Sequence, residues 1–192
     1  MDKFPRINPG ERSTIVGRSG SGKSTVARWL LVRSPRVWII HNPKHTKAYD
    51  SLPDMVKMHK MDGKKLAQNM RDYRFIVWNP TVAESDPEYA DQFINWLQTN
   101  YENVGLCIDE LYMVHTNGRA GPGLTGWLTR GRELKQSFLG LTQRPAWISK
   151  FLLSESNYIG EMSLNQQQDR KVIYDIVGHA DTMKKLDARQ WL

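Results

Sequence analysis

The stretch Arg12-Ser-Thr-Ile-Val16 runs directly into Gly17-Arg-Ser-Gly20-Ser-Gly22-Lys23-Ser24, and that into Thr25-Val-Ala-Arg-Trp-Leu30. It reads as a short strand, a glycine-rich turn and a helix. Glycine, four residues, glycine, lysine and serine is the spacing of a phosphate-binding loop. Glycines allow successive backbone N–H groups to turn inward around an anion. A helix starting at Lys23 aims its positive end at the same point. The expected ligands are ATP and Mg²⁺, held by Gly17, Arg18, Ser19, Gly20, Ser21, Gly22, Lys23, Ser24 and Thr25. Lys23 would reach the β- and γ-phosphates, and the Ser24 hydroxyl would sit on the metal. A merely flexible glycine turn needs neither a strand before it nor a helix after it.

Working outward, short apolar runs alternate with longer amphipathic ones, which predicts an α/β domain with a mainly parallel sheet and helices on both faces. Strands are expected at Arg12–Val16, Val37–His41, Phe75–Trp78, Val104–Ile108, Phe138–Thr142 and Asn157–Met162. Helices are expected at Lys23–Val32, Asp62–Met70, Asp86–Thr99, Leu124–Lys135 and Gln166–Val177, with a short one near the end. Asn42-Pro43 and Asn79-Pro80 close two of the strands, because proline cannot continue a ladder. With no repeat and no linker-like composition, residues 1–192 read as one domain with a short polar extension over residues 1–11.

Val104-Gly-Leu-Cys-Ile-Asp109-Glu110 is an apolar strand delivering two acids at its C-terminal end, the edge where ligands bind in open α/β sheets. Asp109 is the expected Mg²⁺ acid, and Glu110 the group that orients and deprotonates an attacking water. Two adjacent acids favour hydrolysis over transfer to a small acceptor. Cys107, inside the apolar run, reads as packing. Phe138-Leu-Gly-Leu-Thr142-Gln143-Arg144-Pro145 ends another strand in a polar pair, and Gln143 is placed to sense the γ-phosphate. An arginine provided by a neighbouring subunit can neutralise charge on that phosphate. Arg132, in Gly131-Arg132-Glu133, and Arg119, in the glycine-rich segment after the acids, are the two candidates. Against each stands a solvated surface arginine, the commoner case.

The 192 residues carry 40% apolar and 24% charged side chains, a globular balance rather than a disordered one. One cysteine excludes an internal disulfide. The N-terminus lacks the apolar core of a signal peptide, and no apolar run approaches the ~18 residues a bilayer span needs. The expectation is a soluble, intracellular protein. A net charge of +7 suits a polyanionic partner. The segment from His115 to Gly123, expected to be flexible and bearing Arg119, and the basic loop with Lys44 and Lys47 are candidate contacts to nucleic-acid phosphates, which would carry no base information.

Taken in order, the phosphate loop, the strand ending Ile108-Asp109-Glu110, the pair Gly131-Arg132 and Thr142-Gln-Arg-Pro145 resemble the FtsK–HerA superfamily of DNA-pumping ATPases. The similarity spans roughly Thr14–Val177. It implies a RecA-like core in a ring, usually a hexamer, threading duplex DNA. It also implies Lys23 and Ser24 as nucleotide and metal contacts, Asp109 as the metal acid, Glu110 as the catalytic acid, Gln143 as sensor and Arg132 as the residue facing a neighbour. With so little chain before Gly17, the sequence looks most like the genome-packaging ATPases of membrane-containing double-jelly-roll viruses. That implies capsid or portal-vertex partners and a site of action in host cytoplasm or docked on the virion. The continuation Leu111-Tyr-Met-Val-His115 departs from the pattern common among relatives. Three other readings stand beside this one: a small nucleotide or nucleoside kinase, a cellular or plasmid DNA-transfer ATPase of the same superfamily, and a filamentous-phage assembly ATPase.

Overall fold

The computed structural model describes residues 6–179. Seven strands form one sheet: β1 (Arg12–Val16), β2 (Trp38–His41), β3 (Met55–Met58), β4 (Phe75–Trp78), β5 (Gly105–Asp109), β8 (Ser137–Thr142) and β9 (Tyr158–Glu161). Between β5 and β8, the two-residue strands β6 (His115–Thr116) and β7 (Arg119–Ala120) pair as a small antiparallel hairpin. The large sheet has the order β3-β4-β2-β5-β8-β1-β9, and every pairing in it is parallel. All seven strands therefore end at one edge.

Parallel strands buried on both faces read as continuous apolar runs, and β2, β4 and β5 do so: each is buried throughout. Alternate side chains feed two cores. Ile39, Ile76, Leu106 and Ile108 join the larger one, with residues of α2 (Gly63–Asp72), α3 (Pro87–Asn100), α4 (Pro122–Arg130), α5 (Lys150–Ser154) and α6 (Gln167–Val177). Trp38, Ile40, Val77 and Cys107 join the other, with Ala27 and Leu31 of α1 (Lys23–Arg33) and Tyr49. Helices thus cover both faces, and Cys107 is packing, as its setting predicts.

The helix ends follow local chemistry. Asp86 caps α3 by accepting from the N–H groups of Glu88 and Tyr89, and Pro87 follows at the first helical position, where its missing N–H costs nothing. Asp62 caps α2 through the Lys65 N–H. Asp91, inside α3, accepts from Gly123 N–H at 2.9 Å and Leu124 N–H at 2.8 Å, so one helix caps the next.

Two expectations need correction, the end of the fourth helix and the His115–Gly123 loop, and two further features lie outside the sequence reading. The helix predicted over Leu124–Lys135 starts at Pro122 and stops at Arg130, because Gly131 breaks the pattern and Lys135 turns through a left-handed φ of 55°. The edge strand β3 was not expected; its short, half-exposed Met-Val-Lys-Met gives almost no periodic signal. The segment His115–Gly123 is the β6–β7 hairpin and the first residues of α4, with Pro122 at N1, rather than a flexible loop. In the described part of the N-terminal segment Ile7 is buried, its N–H donates to Ser34 Oγ, and Ser137 Oγ–H donates to Asn8 O. The short helix expected near the C-terminus lies outside the described residues. None of the described helices is long and apolar enough to cross a membrane.

Candidate active site

The sheet order decides the site. β8 lies between β1, which feeds the glycine loop, and β5, which ends in the acids. The acids therefore stand two inter-strand spacings, about 10 Å, from the loop strand. That gap accommodates a terminal phosphate and a metal. Two backbone bonds hold the loop in place: Gly17 N–H to Thr142 O at 3.1 Å and Arg18 N–H to Ser163 O at 2.8 Å. A Cβ on Gly17 would stand 2.7 Å from Ser21 Oγ and 2.8 Å from Met162 Cβ, so only glycine fits. Gly22 precedes α1 at φ 98°, a left-handed conformation side chains disfavour. The first residues of α1, Lys23, Ser24 and Thr25, line the cleft, at the helix end whose N–H groups carry partial positive charge.

One cavity of about 370 Å³ is lined by Ser19, Gly20, Gly22, Lys23, Ser24 and Thr25, together with Lys44, Thr46, Asp109 and Glu110. Loop and acids thus share one cleft, as the motifs predict. Lys23 Nζ donates to the loop carbonyls of Gly17 at 2.8 Å and Arg18 at 3.0 Å. Burial lowers its pKa, against the pull of Glu110 and Asp109.

Asp109 is buried, and Tyr49 O–H donates to its Oδ2 at 3.0 Å. Burial raises the Asp109 pKa, offset in part by the Tyr49 bond, while the neighbouring Glu110 charge adds to the rise. Tyr49 was not singled out from the sequence; only the adjacency of β2 and β5 brings it there. Glu110 has φ 77° and ψ 71°, left-handed for a non-glycine residue. Such strain costs about 1–3 kcal/mol and clusters at functional positions. Its Oε1 accepts from Lys44 Nζ at 2.6 Å, and its buried Oε2 has no partner among the described residues.

The remaining candidates fall in different places. Lys44, a candidate nucleic-acid contact on the basic loop after β2, lines the phosphate cleft against Glu110. Burial depresses the Lys44 pKa, but the Glu110 hydrogen bond and charge outweigh this and raise it overall. Lys47 is exposed. Gln143 lies not in the acid cleft but in an adjoining cavity of about 220 Å³, with Arg18, Ser19, Arg144 and Asp169. Arg144 is committed inside the chain: its Nε donates to Asp169 Oδ2 at 3.1 Å, and its guanidinium lies 4.0 Å from the centre of the Trp147 ring. His115 is buried with Nδ1 2.7 Å from Leu111 O, a bond that closes the turn after the acids. Arg119 is exposed on the hairpin. Arg132 is exposed in the turn before β8, against the backbone of Gly10, at the sheet edge opposite the phosphate loop. β1 and β8 separate it from the loop of its own chain.

Among the described residues no group of three or more His, Cys, Asp or Glu side chains could hold a metal. Mg²⁺ binds through one or two protein oxygens together with substrate phosphates and water. Asp109 and the Ser24 hydroxyl are the oxygens that fit.

No family model matches the chain. Over 175 residues it is 26% identical to the DNA packaging ATPase P9 of Enterobacteria phage PRD1, covering 88% of this chain and 71% of the relative. Its fold is similar to that of the genome packaging NTPase B204 of Sulfolobus turreted icosahedral virus 2 in complex with ATP-gammaS. That likeness has a TM-score of 0.75 and 15% identity over 96% of this chain and 91% of the other. VirB4 of Thermoanaerobacter pseudethanolicus is similar at a TM-score of 0.62 and 14% identity, covering 94% and 88%. The likeness suggested by the four motifs is matched on both counts: in sequence the chain is a relative of a viral DNA-packaging ATPase, and its all-parallel sheet with flanking helices is the P-loop NTPase fold of such proteins.

Proposed function

We propose that this protein is an ATP-driven motor that translocates double-stranded DNA and packages a viral genome into a capsid. The observation that carries the reading is the meeting of Gly17–Ser24 with Asp109 and Glu110 in one cleft at the C-terminal sheet edge. The similarity to the PRD1 packaging ATPase supports the biological setting, and the net charge of +7 suits the polyanion.

Loop N–H groups and Lys23 hold the β- and γ-phosphates. Ser24 and Asp109 hold Mg²⁺, which when bound neutralises charge between the phosphates. Tyr49 fixes the Asp109 carboxylate toward the cleft. Glu110 accepts a proton from water as its oxygen bonds to the γ-phosphorus. The bond from that phosphorus to the β–γ bridging oxygen breaks, leaving ADP and inorganic phosphate. Gln143, at the end of the intervening strand, senses the nucleotide from the adjoining cavity.

Arg132 cannot reach the loop of its own chain, so its role at a γ-phosphate is in a neighbour's site. This favours a ring, most simply a hexamer. Arg119 on the hairpin is the alternative finger, and with Lys47 it is a candidate contact to DNA phosphates. The partners are duplex DNA, further copies of this chain and capsid-vertex proteins, in host cytoplasm or docked on the particle.

Steady-state ATP hydrolysis with and without duplex DNA, at two salt concentrations, tests the reading. DNA stimulation that salt removes, with turnover lost in Glu110→Gln, is expected; removing a general base costs about 10²–10⁴-fold. Hydrolysis indifferent to DNA, or phosphorylation of an added nucleotide acceptor, would overturn it in favour of a kinase.

A further inference from the structure

Lys44 has no role in the scheme above, yet it is held with care. Asn42 braces the turn after β2: its Oδ1 accepts from Thr46 N–H at 3.0 Å, and its Nδ2 donates to Thr46 O at 3.1 Å and Asn79 Oδ1 at 2.8 Å. His45 turns through φ 51°, with its Nε2 2.9 Å from Pro80 O. The two Asn-Pro strand ends are thereby tied together, and the tie fixes the backbone on both sides of Lys44. From there its Nζ crosses the cleft to Glu110 Oε1 at 2.6 Å.

The two partners are unequal. The Glu110 side chain is 10% exposed and sits on a strained, buried turn, whereas the Lys44 side chain is 39% exposed on a flexible stem. If one moves, it is Lys44. A carboxylate pinned by an ammonium is a poor proton acceptor for water. A γ-phosphate entering the same cavity carries more negative charge than one carboxylate, and it competes for that ammonium. ADP lacks that terminal phosphate.

We propose that Lys44 is the γ-phosphate-recognising residue of this site: it holds Glu110 until a terminal phosphate arrives, then exchanges the carboxylate for a γ-phosphate oxygen and frees Glu110 for the water. The first half rests on the nucleotide assignment of the cleft, and the second on Glu110 as base. The arrangement makes the base available only when there is a bond to cleave.

The test uses the full chain and a readout apart from turnover. Wild type, Lys44→Met and Lys44→Arg compete ADP and the non-hydrolysable β,γ-methylene analogue of ATP against a fluorescent ADP analogue with Mg²⁺ present. In Lys44→Met the affinity for the ATP analogue should fall about 10- to 100-fold, the worth of one charge-assisted hydrogen bond. ADP affinity should stay within about twofold, since that bond goes only to the γ-phosphate. Lys44→Arg should restore part of the ATP preference, and the single-turnover rate at saturating ATP should fall in Lys44→Met. Equal loss of ADP and ATP-analogue affinity would make Lys44 a structural brace. An unchanged ATP preference, or faster turnover in Lys44→Met, would make the pair a brake without γ-phosphate recognition. Each of these results overturns the proposal. Normal hydrolysis by Glu110→Gln would instead strike at the base assignment, leaving the affinity comparison to decide recognition by itself.

Discussion

Glu161 ends β9 beside the phosphate-loop strand, opposite Val16. It is 2% exposed, and neither carboxyl oxygen has a partner among the described residues. Burial pushes its pKa from an ordinary 4.5 up to about 7, with the Arg170 charge pulling partly back. A carboxyl whose folded pKa is raised keeps its proton longer in the fold than in the unfolded chain. Between 4.5 and 7 the folded state binds more protons, so stability falls as pH rises through that window, and the loss is complete above it. The full interval corresponds to about 3 kcal/mol at 1.36 kcal/mol per pKa unit, of which about 2 kcal/mol falls between pH 5.5 and 8.5. Glu161→Gln removes the charge at every pH while keeping the shape. In a chain of this size 1 kcal/mol moves Tm by about 2–4 °C. The melting temperature of Glu161→Gln minus that of wild type should therefore increase by roughly 4–8 °C from pH 5.5 to 8.5. Scanning calorimetry of both proteins at the two pH values measures it. A difference independent of pH would show that Glu161 ionises freely, through solvent access or a paired cation, and would refute the reasoning.

Asp91→Ala strips two N–H groups at the start of α4 of their acceptor and should cost about 2–4 kcal/mol, read as a lower urea midpoint at constant m-value; Asp91→Asn, which keeps one acceptor, should cost less. In the assembled protein Arg132→Ala should lower turnover by about 10³-fold or more, the worth of an arginine finger. The same loss in Arg119→Ala, with Arg132→Ala active, would move the finger to the hairpin.

What could be read along the chain is what depends on local spacing. The phosphate loop, the acids at the end of β5 and the capped start of α3 each sit within a dozen consecutive residues, where local spacing alone fixes their placement. Missing from that reading were pairings made by the sheet order. Tyr49 meets Asp109, and Lys44 meets Glu110, because β2 lies beside β5. Charge alone cannot say whether a basic loop faces outward or folds over a carboxylate, so the sequence offers Lys44 only as a candidate DNA contact. The strand end puts Gln143 at the nucleotide edge, but which side of the loop it faces depends on β8 lying between β1 and β5. The end of α4 at Arg130 rests on Gly131, a single glycine whose role as a stop is not marked by local spacing. The hairpin over His115–Ala120 is too short to carry a strand pattern.

ATP-dependent displacement of a third strand from a triplex built at one end of a long duplex tests the motor directly, since only a protein moving along the DNA strips it. With wild type, Mg²⁺ and ATP, displacement should occur, with a lag that lengthens with the distance between the loading site and the triplex. Glu110→Gln should bind nucleotide and DNA without displacing. ATP hydrolysis and DNA binding by the wild type without any displacement would contradict translocation and leave a DNA-stimulated ATPase that does not move.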